Sequence, residues 1–316
     1  MSLFVEKLID AIHSKKNPTV VGLDPRLDLL PEEILAKYVK DSGRQTSEMA
    51  GLAILEFNRR IIDVVAPVVP AVKPQVAFYE IFGAPGFDAY FKTIRYAQEK
   101  GLLVIGDVKR GDIGSTAEAY ARGHLVEEKI CGVSTGGGAR ADALTVNPYL
   151  GIDSIRPFIE ACKKTDSGLF VLVKTSNPSS ADFQNLTCEG RALYLKVAAK
   201  VVAWGEEMIG DRGFSSIGAV VGATHPETLA EVKQLFPSLF MLIPGYGAQG
   251  GTSEMIRAAF DRNGDGAIVN SSRGIIFAGR KGDESWEKAV ERAALEMKES
   301  LCRTIGWQDL ESVNWG

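Results

Sequence analysis

A chain of 316 residues, 45% hydrophobic and 24% charged, is long enough to enclose one large core, and α/β barrels reach this size. Its formal net charge of -4 gives no basic footprint for nucleic acid, so an anionic ligand has to be held by local cations. Four cysteines, Cys131, Cys162, Cys188 and Cys302, are scattered without a CxxC pair, which argues against a zinc site and against a disulfide framework.

The N-terminal stretch "MSLFVEKLIDAIHSKK" has apolar residues at helical spacing with charges between them, unlike the unbroken apolar core of a signal peptide. No apolar run reaches the roughly 18 residues of a membrane span. A soluble protein of the reducing cytoplasm, bound to neither membrane nor nucleic acid, is expected.

Short apolar runs follow in "TVVGLD" (19–24), "PAVKPQV" (70–76), "LLVIGDVK" (102–109) and "ALTVNPY" (143–149). Four more are "LFVLVKTS" (169–176), "IGAVVGA" (217–223), "FMLIPGYG" (240–247) and "GAIVNSSRG" (266–274). Amphipathic segments at 49–67, 88–100, 115–128, 152–163, 191–208, 226–235, 252–262 and 284–303 separate and follow them. Continuous apolar runs mark strands buried on both faces, and their alternation with helices implies a parallel sheet. Eight such units predict a (β/α)₈ barrel over residues 1–316 as one domain. A doubly wound sheet is the alternative, with no clear reason to stop at eight equal units.

Inserts near 25–48 and 177–190 follow strands one and five, which in a barrel places them at the catalytic mouth. The Gly-rich "CGVSTGGGARAD" (131–142) looks like a phosphate cradle, but it precedes strand four and so belongs to the opposite face as a flexible connection.

Polar residues at the C-terminal ends of barrel strands carry the chemistry of this fold. Here they are Asp24 on strand one, Lys73 in strand two, Asp107 and Lys109 on strand three, Ser176 on strand five and Arg273 on strand eight. Asp107 and Lys109 are two apart on an extended strand, so their side chains point into the same space. Asp112 follows Gly111, where the chain can turn, and precedes "STAE" (115–118), which matches a capping box; its carboxylate need not face the same pocket. An ion-pair network that merely closes the barrel mouth is the structural alternative for this group.

"IPGYGAQGGTSE" (243–254) after strand seven and Arg273 in "NSSRG" (270–274) after strand eight occupy the positions at which barrels frequently bind phosphate. A guanidinium there can grip the phosphate bidentately. Lys73 and Lys109, interleaved with Asp24, Asp107 and Asp112, repel a divalent cation, so no metal is expected. The same carboxylates keep the lysines protonated, which disfavours a Schiff base and favours a proton donor to a carbanion. His13 and His124 lie in helical segments, His225 resembles a helix start, and no nucleophile–His–acid pattern emerges.

Together, "VGLDPR", "AVKPQVAFYE", the DxKxxD element in "DVKRGDIGST", "KTSNPS", "IPGYGAQGG" and "NSSRG" resemble the orotidine 5'-phosphate decarboxylase family, in its longer bacterial branch, from about residue 19 to 277. The DxKxxD element alone is shared with sister phosphate-sugar enzymes, whereas the full set is specific. The resemblance implies a cofactor-free and metal-free decarboxylation of orotidine 5'-phosphate to UMP in pyrimidine biosynthesis. By the same resemblance, Asp24 and Lys73 bind ribose hydroxyls and join Asp107 and Lys109 in an alternating charge network. Asp107 sits beside the substrate carboxylate and Lys109 delivers a proton to C6. Ser176 hydrogen-bonds the pyrimidine, and Gln249 and Arg273 hold the phosphate. Asp112 and Thr116 reach into a neighbouring subunit's site, which makes a homodimer the functional unit. The alternatives are a magnesium-dependent ketose-phosphate enzyme, against which Lys73 argues, and a non-catalytic phosphate-binding barrel.

Overall fold

The computed structural model describes residues 2–39, 46–134, 139–247, 250–280 and 285–307. Its centre is a closed barrel of parallel strands: β1 (Thr19–Leu23), β2 (Ala71–Pro74), β3 (Leu103–Arg110), β4 (Ala143–Val146), β5 (Gly168–Lys174), β6 (Ile217–Val221), β7 (Met241–Ile243) and β8 (Ala267–Ser271). Each strand pairs with the next, and β8 returns to β1 through Thr19–Val269 and Val20–Asn270. Every residue of β1, β2, β4, β6, β7 and β8 is buried, which explains why these stretches read as unbroken apolar runs. The expected (β/α)₈ barrel is therefore present. No described helix is long and apolar enough to cross a membrane, and all four cysteines are free.

Outward-facing strand residues pack against the helical ring, including Thr46–Val65, Gly83–Glu99, Gly114–Leu125, Ile152–Thr165, Leu193–Trp204, Pro226–Leu235 and Trp286–Ile305. The segment predicted as a helix over 252–262 is only a short helix, Ser253–Ile256, with a 3₁₀ turn at Arg257–Ala259. The N-terminal helix, Phe4–Lys15, has a separate task. Its Phe4, Val5, Leu8, Ile9 and Ile12 pack with Val20, Ala71, Ile105, Ala143, Phe170 and Ile268 from the barrel interior. Burying such side chains contributes roughly 1.5–3 kcal/mol each, so the helix is a firmly held floor to the barrel.

The first insert reaches the mouth at its start, through Arg26. Its described part forms a 3₁₀ turn (Leu27–Leu29) and a helix (Glu32–Val39) that lies beside the ring, with Tyr38 Oη donating to Glu56 and Trp286 Nε1 donating to Glu33 at 3.0 Å. The apolar face of that helix is satisfied there; residues 40–45 lie outside the described residues. Of the Gly-rich 131–142 segment, residues 135–138 are likewise outside, while Lys129–Ile130 and Val133–Ser134 form a small hairpin.

At the floor, His13 Nε2 and Asp265 Oδ1 are 2.7 Å apart, with the Trp307 ring edge-on to His13. The Asp265 hydrogen bond raises the His13 pKa above its ordinary 6.5 despite partial burial; the charge of Asp10 adds to the rise and that of Arg212 opposes it. A raised folded-state pKa means that the pair stabilises the fold fully below the unfolded value and loses this contribution as pH rises through the folded one. The Tm difference between the parent and His13→Ala is expected to be widest near pH 5.5 and to narrow by pH 8.5. A difference that is constant with pH in thermal melts refutes the linkage. The effect is small, because the His13 side chain is 41% exposed.

Candidate active site

Alternate residues of a barrel strand face inward. One step above the apolar interior just described, the inward positions are Gly22, Lys73, Asp107, Thr145, Leu172, Val220, Leu242 and Asn270, and all but Gly22 line a cleft of ≈ 670 Å³ at the C-terminal mouth. Charge in this layer is thus confined to β2 and β3, β4 supplies a hydroxyl, an apolar arc comes from β5, β6 and β7, and β8 supplies an amide. Gly22 leaves the room this needs: a Cβ there would lie 1.8 Å from Ser272 Oγ.

Asp107 is the hub of the charged arc. Its Oδ2 accepts from Lys73 Nζ at 2.6 Å, and its Oδ1 accepts from Lys109 Nζ at 2.5 Å and from Thr145 Oγ1 at 2.8 Å. Burial alone would raise its pKa, but the charges of Lys73 and Lys109 hold the carboxyl far below the usual range. Lys73 is buried too, which by itself favours the neutral amine, yet the charges of Asp107 and then Asp24 raise its pKa, so it remains an ammonium. The side chain of Lys109 is 45% exposed to the cleft, against 6% for Lys73. Both ammonium groups line the cleft, and Lys109 is the more exposed of the two.

The local backbone at Lys109 is unusual. Its φ is 44°, in the left-handed region, which costs a side-chain-bearing residue about 1–2 kcal/mol. The sequence reasoning brought Asp107 and Lys109 together by assuming a regular strand; they do meet, through an irregular one. Arg110 beyond it turns outward to pair with Glu80 and stack on Tyr120.

Asp24 also lines the cleft, and its Oδ1 is buried without a hydrogen-bond partner, a carboxylate oxygen poised for a ligand hydroxyl. Ser176 and Arg273 line it as well, but neither ends a strand: β5 stops at Lys174 and β8 at Ser271, with Arg273 opening the short helix Arg273–Ile276. Gln249 lies outside the described residues. Asp112 and Thr116 do not line the cleft. Gly114, at φ 54°, starts the following helix one residue ahead of Ser115, so the expected capping box is not used, and Asp112 Oδ1 instead accepts from the Ile113 N–H at 2.8 Å. Thr116 is exposed.

Three features escaped the sequence reasoning. Thr145 sits inside "ALTVNPY" as a hydroxyl flanked by Leu144 and Val146, and that isolation at an inward position was the available signal. Lys174, at the end of β5, is 1% exposed and has neutral partners, Ser180 Oγ at 3.0 Å and Asn185 Oδ1 at 2.8 Å. Burial lowers its pKa, and the charge of Glu227 only partly opposes this. With Gln184, which both accepts from the Thr175 N–H and donates to Thr175 Oγ1, it ties the second insert to the strand that presents Ser176. Tyr246, at the foot of the loop after β7, also lines the cleft.

None of the three histidines lines the cleft. His124 is buried edge-on to Tyr90, and burial, then the charge of Arg110, pushes its pKa down to about 4. His225 precedes the helix Pro226–Leu235. Among the described residues no cluster of three His, Cys, Asp or Glu is arranged to hold a metal.

The chain and its architecture have counterparts among known proteins. The family model described as "Orotidine 5'-phosphate decarboxylase / HUMPS family" matches residues 27–289. An orotidine 5'-phosphate decarboxylase of Rhodopirellula baltica is 44% identical over 309 residues, covering 95% of this chain and 99% of the relative. One of Caldicellulosiruptor saccharolyticus is 43% identical over 305 residues, covering 96% and 99%. Among solved structures, the OMP decarboxylase of Leishmania donovani superimposes with a TM-score of 0.70 at 32% identity, covering 96% of this chain and 99% of that one. With the family model spanning most of its length and relatives matched end to end, this chain belongs to the orotidine 5'-phosphate decarboxylase family.

Proposed function

We infer that this enzyme decarboxylates orotidine 5'-phosphate to UMP in pyrimidine biosynthesis, with Lys109 protonating C6 and no metal or cofactor taking part. The observation that carries the mechanism is the Lys73–Asp107–Lys109 chain, in which one buried carboxylate is gripped by two ammonium groups, Lys109 being the more exposed of the two in the cleft. Loss of CO₂ leaves an electron pair on C6. The Lys109 ammonium stabilises that charge and then transfers its proton to the carbon, leaving a neutral amine. Asp107 lies next to the departing carboxylate and orients Lys109.

The apolar arc of Leu172, Val220 and Leu242 excludes water from the face opposite the lysines. Asp24 and Lys73 take ribose hydroxyls, Ser176 the pyrimidine, and Arg273 with Gln249 the phosphate. Binding energy from this remote phosphate closes the loop after β7 and the tip of the 177–190 insert over the base.

Asp112 and Thr116 complete the site of a second copy in a homodimer. Exposed Ile81, Ile113, Tyr149 and Leu150, on loops after β2, β3 and β4, support this, since they gather apolar surface on the side of the mouth where those two residues lie. The cytoplasm is the compartment we assign.

The test follows the ultraviolet absorbance of orotidine 5'-phosphate, with released CO₂ trapped, in excess EDTA. Full activity with stoichiometric CO₂ is expected, and orotidine without the phosphate is expected to lose kcat by about 10²-fold or more, beyond any change in KM. Activity that returns only with magnesium refutes the metal-free mechanism, and unchanged kcat on orotidine refutes phosphate-driven closure.

A further inference from the structure

We propose that Thr145 is the positioning residue that holds Lys109 and Asp107 in register for proton transfer, a role that rests on the Lys109 chemistry above. β3 and β4 pair Ile105 with Ala143 and Gly106 with Leu144, and then pair again only at Arg110 and Val146. Three residues, Asp107, Val108 and Lys109, therefore face Thr145 alone. A surplus of two preserves the in-and-out alternation, so both Asp107 and Lys109 project inward against one inward residue of the neighbouring strand.

This arrangement deprives the Lys109 N–H of a carbonyl in the ladder. Thr145 Oγ1 replaces it, accepting that N–H at 3.0 Å, and the same hydroxyl donates its own proton to Asp107 Oδ1 at 2.8 Å. Because Lys109 Nζ donates to that oxygen too, the hydroxyl closes a ring that links the main chain of Lys109 to the acid its side chain pairs with. Thr145 is 1% exposed, so water does not compete for these bonds. A barrel needs no hydroxyl here for packing: Leu172, Val220 and Leu242 fill the corresponding layer on β5, β6 and β7 with hydrocarbon. The left-handed Lys109 and the rotamer of Asp107 are held by one group that makes no chemical step itself.

The test compares Thr145→Val, which keeps the shape and removes the hydroxyl, with Thr145→Ser, which restores it. For Thr145→Val, kcat on orotidine 5'-phosphate is expected to fall about 10²-fold, the scale of a misplaced reacting group, with KM and UMP affinity within about threefold of the parent. Thr145→Ser is expected to recover kcat to within about tenfold, since its Oγ can make the same two hydrogen bonds. A folded Thr145→Val enzyme with parental kcat overturns the inference, as does a loss that Thr145→Ser fails to repair. If Thr145→Val does not fold, Thr145→Ala removes the same hydroxyl with less bulk and is read by the same split. Lys109→Ala is run alongside. If it is inactive while Thr145→Val is normal, only the positioning role falls; if it keeps parental turnover, the Lys109 chemistry falls and this inference with it.

Discussion

Lys109→Ala is expected to lower kcat on orotidine 5'-phosphate by at least about 10⁴-fold, combining the typical 10²–10⁴ of a positioned general acid with the 10²–10³ of one aimed charge. Its effect on stability is expected to be small. The Lys109 side chain is 45% exposed, and removing it leaves Asp107 with Lys73 and Thr145, so no buried charge is stranded. Lys109→Gly sharpens the contrast. At φ 44° glycine carries no side-chain penalty, so this variant is expected to be equally inactive and slightly more stable than Lys109→Ala. Absorbance assays and thermal melts on the same preparations check both halves. Parental turnover in Lys109→Ala refutes the proton-donor assignment, and a large drop in its Tm would mean that the lysine is a structural element.

Asp107→Asn is expected to have the largest effect on folding, about 3–5 kcal/mol, because it removes the carboxylate paired with the Lys73 ammonium, which is 4% exposed. The penalty is the stranded charge rather than the strength of the lost bond. A paired change to Lys73→Met with Asp107→Leu is therefore expected to recover most of the stability with no activity. pH dependence gives a separate check. The two lysines depress the folded-state pKa of Asp107, so its contribution is complete above the ordinary carboxyl value of 3.8 and is lost as pH falls below it. The stability gap between the parent and Asp107→Asn, measured by urea unfolding, should be flat from pH 5 to 8 and shrink below about pH 4. A gap that shrinks instead towards pH 8 would sink this account.

The barrel was legible because its strands are buried on both faces and so appear as eight spaced apolar runs, a pattern that survives without any knowledge of loops. The positions of Lys73, Asp107 and Asp24 were legible for the same reason, since strand ends are where this fold shows its interior to solvent. What could not be read was anything set by the relation between two strands. Thr145 matters only because Asp107 and Lys109 lie opposite it, and no local pattern in "ALTVNPY" announces the register. Lys174 appears in sequence as one more cation at a strand end, yet burial beneath the 177–190 insert makes it an anchor. The capping motif in "STAE" is offset by one residue, because the helix starts at Gly114 and Ser115 falls inside its first turn. The first insert was expected at the mouth by topology alone, and it meets the mouth through Arg26 while the apolar face of its helix packs on the helical ring.

The three-against-one pairing at Thr145 also constrains how this stretch can change in length. Deleting one residue between Gly106 and Arg110 would invert the facing of those that follow, turning Arg110 from its outer partner Glu80 toward the barrel interior. Deleting two would close the ladder, return a carbonyl to every N–H and leave room for only one of Asp107 and Lys109. The shorter strand would be the better strand and no longer a catalyst. Substitutions around this element are therefore far easier to accommodate than an insertion or deletion, and it is the residue count between two regular pairings that the reaction depends on.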